Sequence, residues 1–320
     1  MSTFLHIMGN NIIPIFVIIG LGYILSRKFD FSLLTLNKLI FYLFVPSFIF
    51  YNLYTTNLSL DMLNVLLFCV INLIFNHLLA TVISKIRKYD IGLTNAYRNA
   101  IMFNNSGNIG LSLITLVFSS APFIINGSTP YLNEALAAQI IVMVFMNITM
   151  NTLGIYNAGR AKMNIKDSMR KIFSMPAVYA VPLALLLKYL HIDITPIPFW
   201  PAIVFIKGGL VPMALLTLGA QLSITKFSFR NFDVNLAALT RVAIGPILAL
   251  ILILIFGFTG VIAQTLIISY ALPTAVNTAL IAVECNNNPR FASQEVMVST
   301  ILSAATLTLA IYLARVLFPI

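Results

Sequence analysis

The sequence predicts an all-α polytopic membrane protein of ten transmembrane helices, and three observations carry that reading. The chain has 320 residues, 60% of them hydrophobic and only 9% charged, with a mean hydropathy of +0.97. A water-soluble chain is about a quarter charged because its surface must be wetted, so much of this surface faces hydrocarbon. Apolar stretches recur along the whole chain at spanning length, divided by polar or Pro/Gly clusters. The basic residues, finally, gather in alternate connections. At ~20 residues per span plus a short connection, this length leaves no room for a soluble domain of catalytic size.

Taken in order, the expected spans cover about 8–25, 34–54, 62–84, 96–118, 132–156, 173–190, 198–222, 234–257, 261–284 and 294–317. Residues Met1–Asn11 lack Lys and Arg and no small-residue cleavage site follows, so the first apolar run reads as a retained span. Net charge is +10, from 19 Lys+Arg against 9 Asp+Glu. In a soluble protein that balance would suggest nucleic acid; here topology accounts for it. The odd-numbered connections hold Arg27 and Lys28; Lys85, Arg87 and Lys88; Arg160, Lys162, Lys166, Arg170 and Lys171; Lys226 and Arg230; and Arg290. Only Lys188 and Arg315 lie on the other side. Basic connections stay cytoplasmic, which makes this a multi-pass protein of the cell membrane with both termini extracytoplasmic. Cys69 and Cys285 have no neighbouring cysteine and no metal spacing.

The long basic connection 157–172 separates a first five-span set, 1–156, from a second, 173–320. Five is odd, so the halves run in opposite directions, the inverted-repeat plan of many secondary transporters. VPSFIFYNL from Val45 and VPMALLTLG from Val211 echo one another. Spans four and nine correspond more closely, because both are broken. MFNNSGNIGLS, Met102–Ser112, sets three asparagines and two glycines in an apolar helix, and both types are poor helix formers. YALPTAVNTAL, Tyr270–Leu280, has Pro273, which removes a backbone donor, and Asn277 one turn on. Irregular backbone at membrane depth survives only where it lines a cavity or is buried in protein. One Gly or Pro would be a packing notch; Asn104, Asn105 and Asn108 with Gly107 and Gly110 need a polar environment. Half-helices meeting there would aim N–H groups and positive dipole ends at a bound solute, which suits a carboxylate.

These stretches carry a resemblance. The chain resembles the auxin efflux carrier family, including its bacterial permeases, through Asn105, Gly107 and Gly110 as NxGxxG, Pro46, LVPMALLTLGAQL at Leu210–Leu222, and ALPTAVNTALIAVE at Ala271–Glu284. The resemblance covers essentially the whole chain. It implies two inverted five-helix repeats, a scaffold domain and a transport domain, and broken helices four and nine that cross. It also implies an organic anion, such as malonate, malate or an auxin-like acid, held near the crossing by Asn104, Asn105, Asn108, Pro273, Thr274 and Asn277. It admits a homodimer. Many members have proline where this chain has Ser112, so here the first break rests on Gly107, Gly110 and amide competition.

All nine acids read as lying at connections or span edges, Glu295 among them, which argues against carboxylate-based ion coupling. Lys207 is the charge set deepest in a span, as an electrostatic partner for an anion or as a snorkelling ammonium. Arg241, Arg98 and Lys38 read as snorkelling, and His77 as a packing residue. No metal site, cofactor, nucleic-acid partner or phosphate-cradling GxxxxGK[ST] loop is expected, nor any enzymatic constellation. An inside-negative potential of ~100 mV yields about 2.3 kcal/mol per anion moved outward, roughly a fifty-fold gradient. The expected function is therefore secondary transport of a small organic anion by alternating access. The alternative is a solute sensor that binds in the same pocket without translocation.

Overall fold

The computed structural model describes residues 2–56, 61–159, 173–225 and 230–320. Most of the expected basic connection lies outside them, with Arg160, Lys162, Lys166, Asp167, Arg170 and Lys171, and so does Lys226.

Regular structure among the described residues is helical. The helices are α1 (Phe4–Lys28), α2 (Leu33–Thr55), α3 (Met62–Ile86), α4 (Ile91–Met102), α5 (Ser106–Phe118), α6 (Leu132–Gly159), α7 (Pro176–Tyr189), α8 (Phe199–Ser223), α9 (Phe232–Phe256), α10 (Gly260–Tyr270), α11 (Val276–Glu284) and α12 (Pro289–Leu317). Seven of them, α1, α2, α3, α6, α8, α9 and α12, are long and apolar enough to cross a membrane; α5, α7 and α10 are apolar but shorter. Their outward faces are apolar too, with Phe205 82% and Ile255 71% exposed. In water that surface would drive aggregation, whereas lipid accommodates it.

Three prolines leave the same mark. Pro14, Pro46 and Pro246 each follow a widened turn, at Met8–Ile12, Ile40–Phe44 and Thr240–Ile244. A proline ring lacks the N–H for the carbonyl four residues back and clashes with it. The residue before it bonds one further back instead: Ile13 N–H to Met8, Val45 N–H to Ile40 and Gly245 N–H to Thr240. The helices stay continuous but their turns open.

The helices sort into two packed groups. In one, α1 lies along the second half of α8 and α7 lies along α2. At Gly22 and Gly219 the backbones of α1 and α8 touch, since a Cβ on Gly22 would overlap the Leu216 carbonyl and one on Gly219 the Ile19 carbonyl. In the other group, α3, α6, α9 and α12 surround α4, α5, α10 and α11. The connection after α3 is tied to the start of α9 by Asp233, which accepts from the Tyr89 hydroxyl at 2.7 Å and from Arg87 at 3.1 Å. Burial and the Asp233 hydrogen bond push the Tyr89 hydroxyl up to about 12, so it remains a donor at any physiological pH.

Expected spans four and nine are not continuous helices. α4 stops at Met102 and α5 starts at Ser106; α10 stops at Tyr270 and α11 starts at Val276. The two breaks meet as a single antiparallel β-bridge, Asn104 opposite Thr274. Asn105 N–H donates to Pro273 O at 2.8 Å and Ala275 N–H to Phe103 O at 2.9 Å. Each bridge residue also caps the other break: Asn104 Nδ2 donates to Ser269 O at 3.0 Å, and Thr274 Oγ1 lies 2.9 Å from Ala100 O.

Arg241 completes this accounting and corrects its sequence reading. It does not snorkel; it is fully buried. Its guanidinium donates to Ile101 O at 2.7 Å, Tyr270 O at 2.6 Å and Leu272 O at 3.1 Å. These carbonyls belong to the C-terminal ends of α4 and α10, where the peptide dipoles present negative charge, so the cation is compensated without a carboxylate salt bridge. The planar fork of five N–H donors lets one side chain reach three carbonyls that lie apart.

Two expectations follow from this packing. Arg241→Met orphans three buried carbonyls at about 1–3 kcal/mol each, so its thermal midpoint in detergent falls far below wild type or the protein fails to accumulate, and Arg241→Lys recovers only part of the loss. Gly219→Ala costs about 1–3 kcal/mol through forced separation of α1 and α8, whereas Gly20→Ala, where a Cβ meets nothing within 4 Å, leaves the melting curve in place.

Candidate functional site

The starts of α5 and α11 face one small cavity beside the β-bridge. It is lined by Asn104, Asn105, Ser106, Gly107 and Asn108 from the first break and by Ala275, Val276 and Asn277 from the second. The remaining wall comes from α2, α6 and the Leu210 turn of α8, so the cavity lies where the two helix groups meet. Asn105 caps α5, its Oδ1 accepting from Asn108 N–H at 3.3 Å. Such caps arise because Asn competes with the helix for backbone bonds. Ser112, where a proline was the alternative, gives its hydroxyl to the Asn108 carbonyl at 2.7 Å, and the break falls at Phe103–Asn105, ahead of both glycines.

Two polar atoms at this seam are buried without partners, Asn104 Oδ1 and Asn105 Nδ2. Buried amide atoms are seldom left so. The cavity itself measures only about 30 Å³, roughly one water molecule's share of liquid.

Larger spaces lie on either side. Toward the end of the bundle where α2 begins and α11 ends, a cavity of about 310 Å³ shares Phe41, Val45, Asn147 and Asn277 with the small one and reaches Lys38, Asn151 and Glu284. Toward the opposite end, a cavity of about 400 Å³ lies between Tyr51, Asn52, Thr55, Thr115, Asn133 and Lys207. Spaces of this size admit a small organic molecule.

The structure thus brings together Asn104, Asn105, Gly107, Asn108 and Asn277. Pro273 and Thr274 form the seam beneath them, Pro273 through its carbonyl. Gly110 and Lys207 stand elsewhere. A Cβ on Gly110 would collide with the Gln139 amide and crowd Leu272, so this glycine lets α5 press onto α6 and the second break. Lys207 sits in the 400 Å³ cavity, its ammonium 3.4 Å from the centre of the Tyr51 ring. A cation over an aromatic face is attracted to it.

Several polar residues of this region were not singled out from the sequence. Gln139 donates to Ser106 O at 2.8 Å and accepts from Ser269 Oγ, which couples α6 to both breaks. Asn147 and Asn151, one turn apart on α6, turn the same face to the cavities, a spacing that could have flagged them. Glu295 is a correction: it is not at a span edge but about two turns into α12, wholly buried, with Oε1 2.8 Å from Thr274 Oγ1. Among the described residues, no cluster of three or more His, Cys, Asp or Glu has the arrangement of a metal site.

The apolar helices agree with what similar chains are described as. The family model described as "Membrane transport protein" matches residues 7–311. A protein of Methanothermobacter thermautotrophicus described as an uncharacterized transporter is 24% identical over 312 residues, which cover 94% of this chain and 97% of that protein. With the match extending over nearly its whole length, the chain is an integral membrane protein belonging to the membrane transport protein family, the auxin efflux carrier family that its motifs resemble.

Proposed function

We propose that this protein is a secondary transporter of small organic anions, working by alternating access in the cell membrane and exporting its solute down the membrane potential. The observation that carries this reading is the pair of half-helix starts, Ser106 and Val276, facing one cavity lined by four asparagines of the two breaks. First-turn N–H groups and the positive ends of two helix dipoles converge there, the arrangement that favours a carboxylate. Asn108 and Asn277, at the rim and less buried than Asn104, orient the anion in this reading.

The same reading takes the chain as ten membrane helices in two inverted repeats, 1–156 and 173–320, with both termini extracytoplasmic. It is supported by the order of elements, since α1–α6 and α7–α12 both run as three helices, a broken pair and a long helix. α1, α2, α7 and α8 would form the scaffold and the group around the breaks the moving domain. A narrow 30 Å³ cavity between spaces of about 310 and 400 Å³ at opposite ends supports this division. Rocking of one group against the other would join it to each space in turn.

Proteoliposomes loaded with labelled malonate or malate test this. Efflux is expected to accelerate under an inside-negative potential, and Asn108→Ala and Asn277→Ala each to lower it roughly ten- to a hundredfold, the loss of one hydrogen bond to a charged group. Variants that fold and transport at the wild-type rate would remove the asparagines from the site. Lys207→Gln is expected to weaken anion capture several-fold at low salt, with the difference shrinking as ionic strength rises; equal salt dependence of the two proteins would make Lys207 a packing residue of the Tyr51 ring.

A further inference from the structure

The Thr274 hydroxyl has one hydrogen and two oxygen neighbours. Oγ1 is 2.9 Å from the Ala100 carbonyl and 2.8 Å from Glu295 Oε1. A carbonyl oxygen can only accept, and so can an ionised carboxylate. Both contacts are full two-centre hydrogen bonds at once when the Glu295 carboxyl holds a proton and donates it to Thr274; otherwise the one Thr274 hydrogen is shared or given to a single acceptor. An ionised Glu295 would draw the Thr274 hydrogen to itself and leave Ala100, near the C-terminal end of α4, without its donor.

The surroundings of Glu295 give this proton its weight. The side chain is wholly buried and Oε2 has no hydrogen-bond partner. Ser299, beside it on α12, accepts the Thr274 N–H and has both the Val296 carbonyl and the Glu295 carboxyl within reach of its own hydrogen. The charged and titratable groups facing Glu295 are Arg241 from α9 and Tyr97 from α4. Arg241 is committed to three carbonyls, and the Tyr97 hydroxyl is paired with Thr240 Oγ1 at 3.0 Å. From the other helices against α12, α10 brings Tyr270, whose ring packs edge-on to Phe68; α11 brings Glu284 at its far end, and α1 brings His6, bonded to Asn10. At the start of α9, Asp233 is held by Arg87 and Tyr89.

We propose that Glu295 is a proton-binding site built into the meeting of the two breaks, and that gain or loss of one proton makes or breaks the Thr274–Ala100 hydrogen bond. With the proton in place, Thr274 ties α4 to the linker between α10 and α11. Without it, Thr274 turns to Glu295, and the end of α4 is held there by Arg241 and the two backbone bonds of the bridge. An anion arriving in the adjacent cavity adds negative potential and favours the neutral carboxyl, so anion and proton reinforce one another's binding. This consequence rests on the transporter reading; the proton site itself does not.

Infrared difference spectra of the purified protein in detergent, titrated from about pH 5 to 9, the span in which buried carboxyls change state, test the site directly. Wild type is expected to lose a carboxylic C=O band as pH rises, and Glu295→Gln, whose amide still donates to Thr274, to lack that band. Because the chain has only three glutamates, ¹³C-carboxyl glutamate labelling shifts the band in wild type and keeps the test decisive even if the variant fails to fold. A titration with no glutamate band, or the same band in Glu295→Gln, overturns the proposal. In proteoliposomes, wild-type malonate flux is expected to change roughly tenfold per pH unit on its titrating limb and the Gln variant by less than about twofold. Flux with the same pH dependence in both proteins sinks the proton link while transport stands. No malonate or malate flux at any pH sinks the transport reading, and the infrared titration still decides the site.

Discussion

Backbone groups at a helix end buried in protein have no water to bond, and four half-helices of this chain end or start in such a place. The carbonyls that close α4 and α10 are the constraint on which the interior is built. Arg241 answers three of them with one fully buried guanidinium, and Asn104 and Thr274 answer one each across the seam. The donors come from α9 and from the opposite break, so neither break is satisfied until the two are brought together. That mutual dependence explains how a region so rich in poor helix formers satisfies its backbone. Satisfying the C-terminal ends this way leaves the opposite starts, Ser106 and Val276, directed at a cavity.

The placement of polar atoms follows from that geometry. Gln139 is shared between the start of α5 and the end of α10, which anchors both breaks to the long helix α6. Gly110 permits the approach, because any side chain there would displace the Gln139 amide. The half-buried asparagines, Asn108 and Asn277, are those the backbone does not consume. Satisfied backbone beneath and unspent polarity above is the arrangement a solute site needs: a hydrogen-bonded floor and amides that are free to bind.

Much of this was legible in the chain. The charge deficit and the recurring apolar runs indicate a membrane protein, and Pro14, Pro46 and Pro246 mark their widened turns through local chemistry alone. NNSGN and LPTAVN announce the breaks because amides, glycine and proline weaken the helix wherever they stand. Arg241 and Glu295 were misread for one shared reason. Each lies within a few turns of a helix end, where a long side chain ordinarily reaches water, and nothing in TRVAIGP or ASQEVMV tells which way it points. For Lys207 the depth was readable, but which cavity it enters depends on the packing of α8 against α2.

The sequence by itself determined that the chain lives in a membrane, where its spans run and where two of them fail, since hydrophobicity and helix propensity act over a few neighbouring residues. Only the tertiary structure decided how those failures are made good. Asn104 and Thr274 stand 170 positions apart in the numbering, and their pairing, the burial of Arg241 beneath it and the setting of the Thr274 hydroxyl between Ala100 and Glu295 exist only once distant segments meet. Long-range hydrogen bonding has no signature in local composition, because it is set by which helices lie side by side.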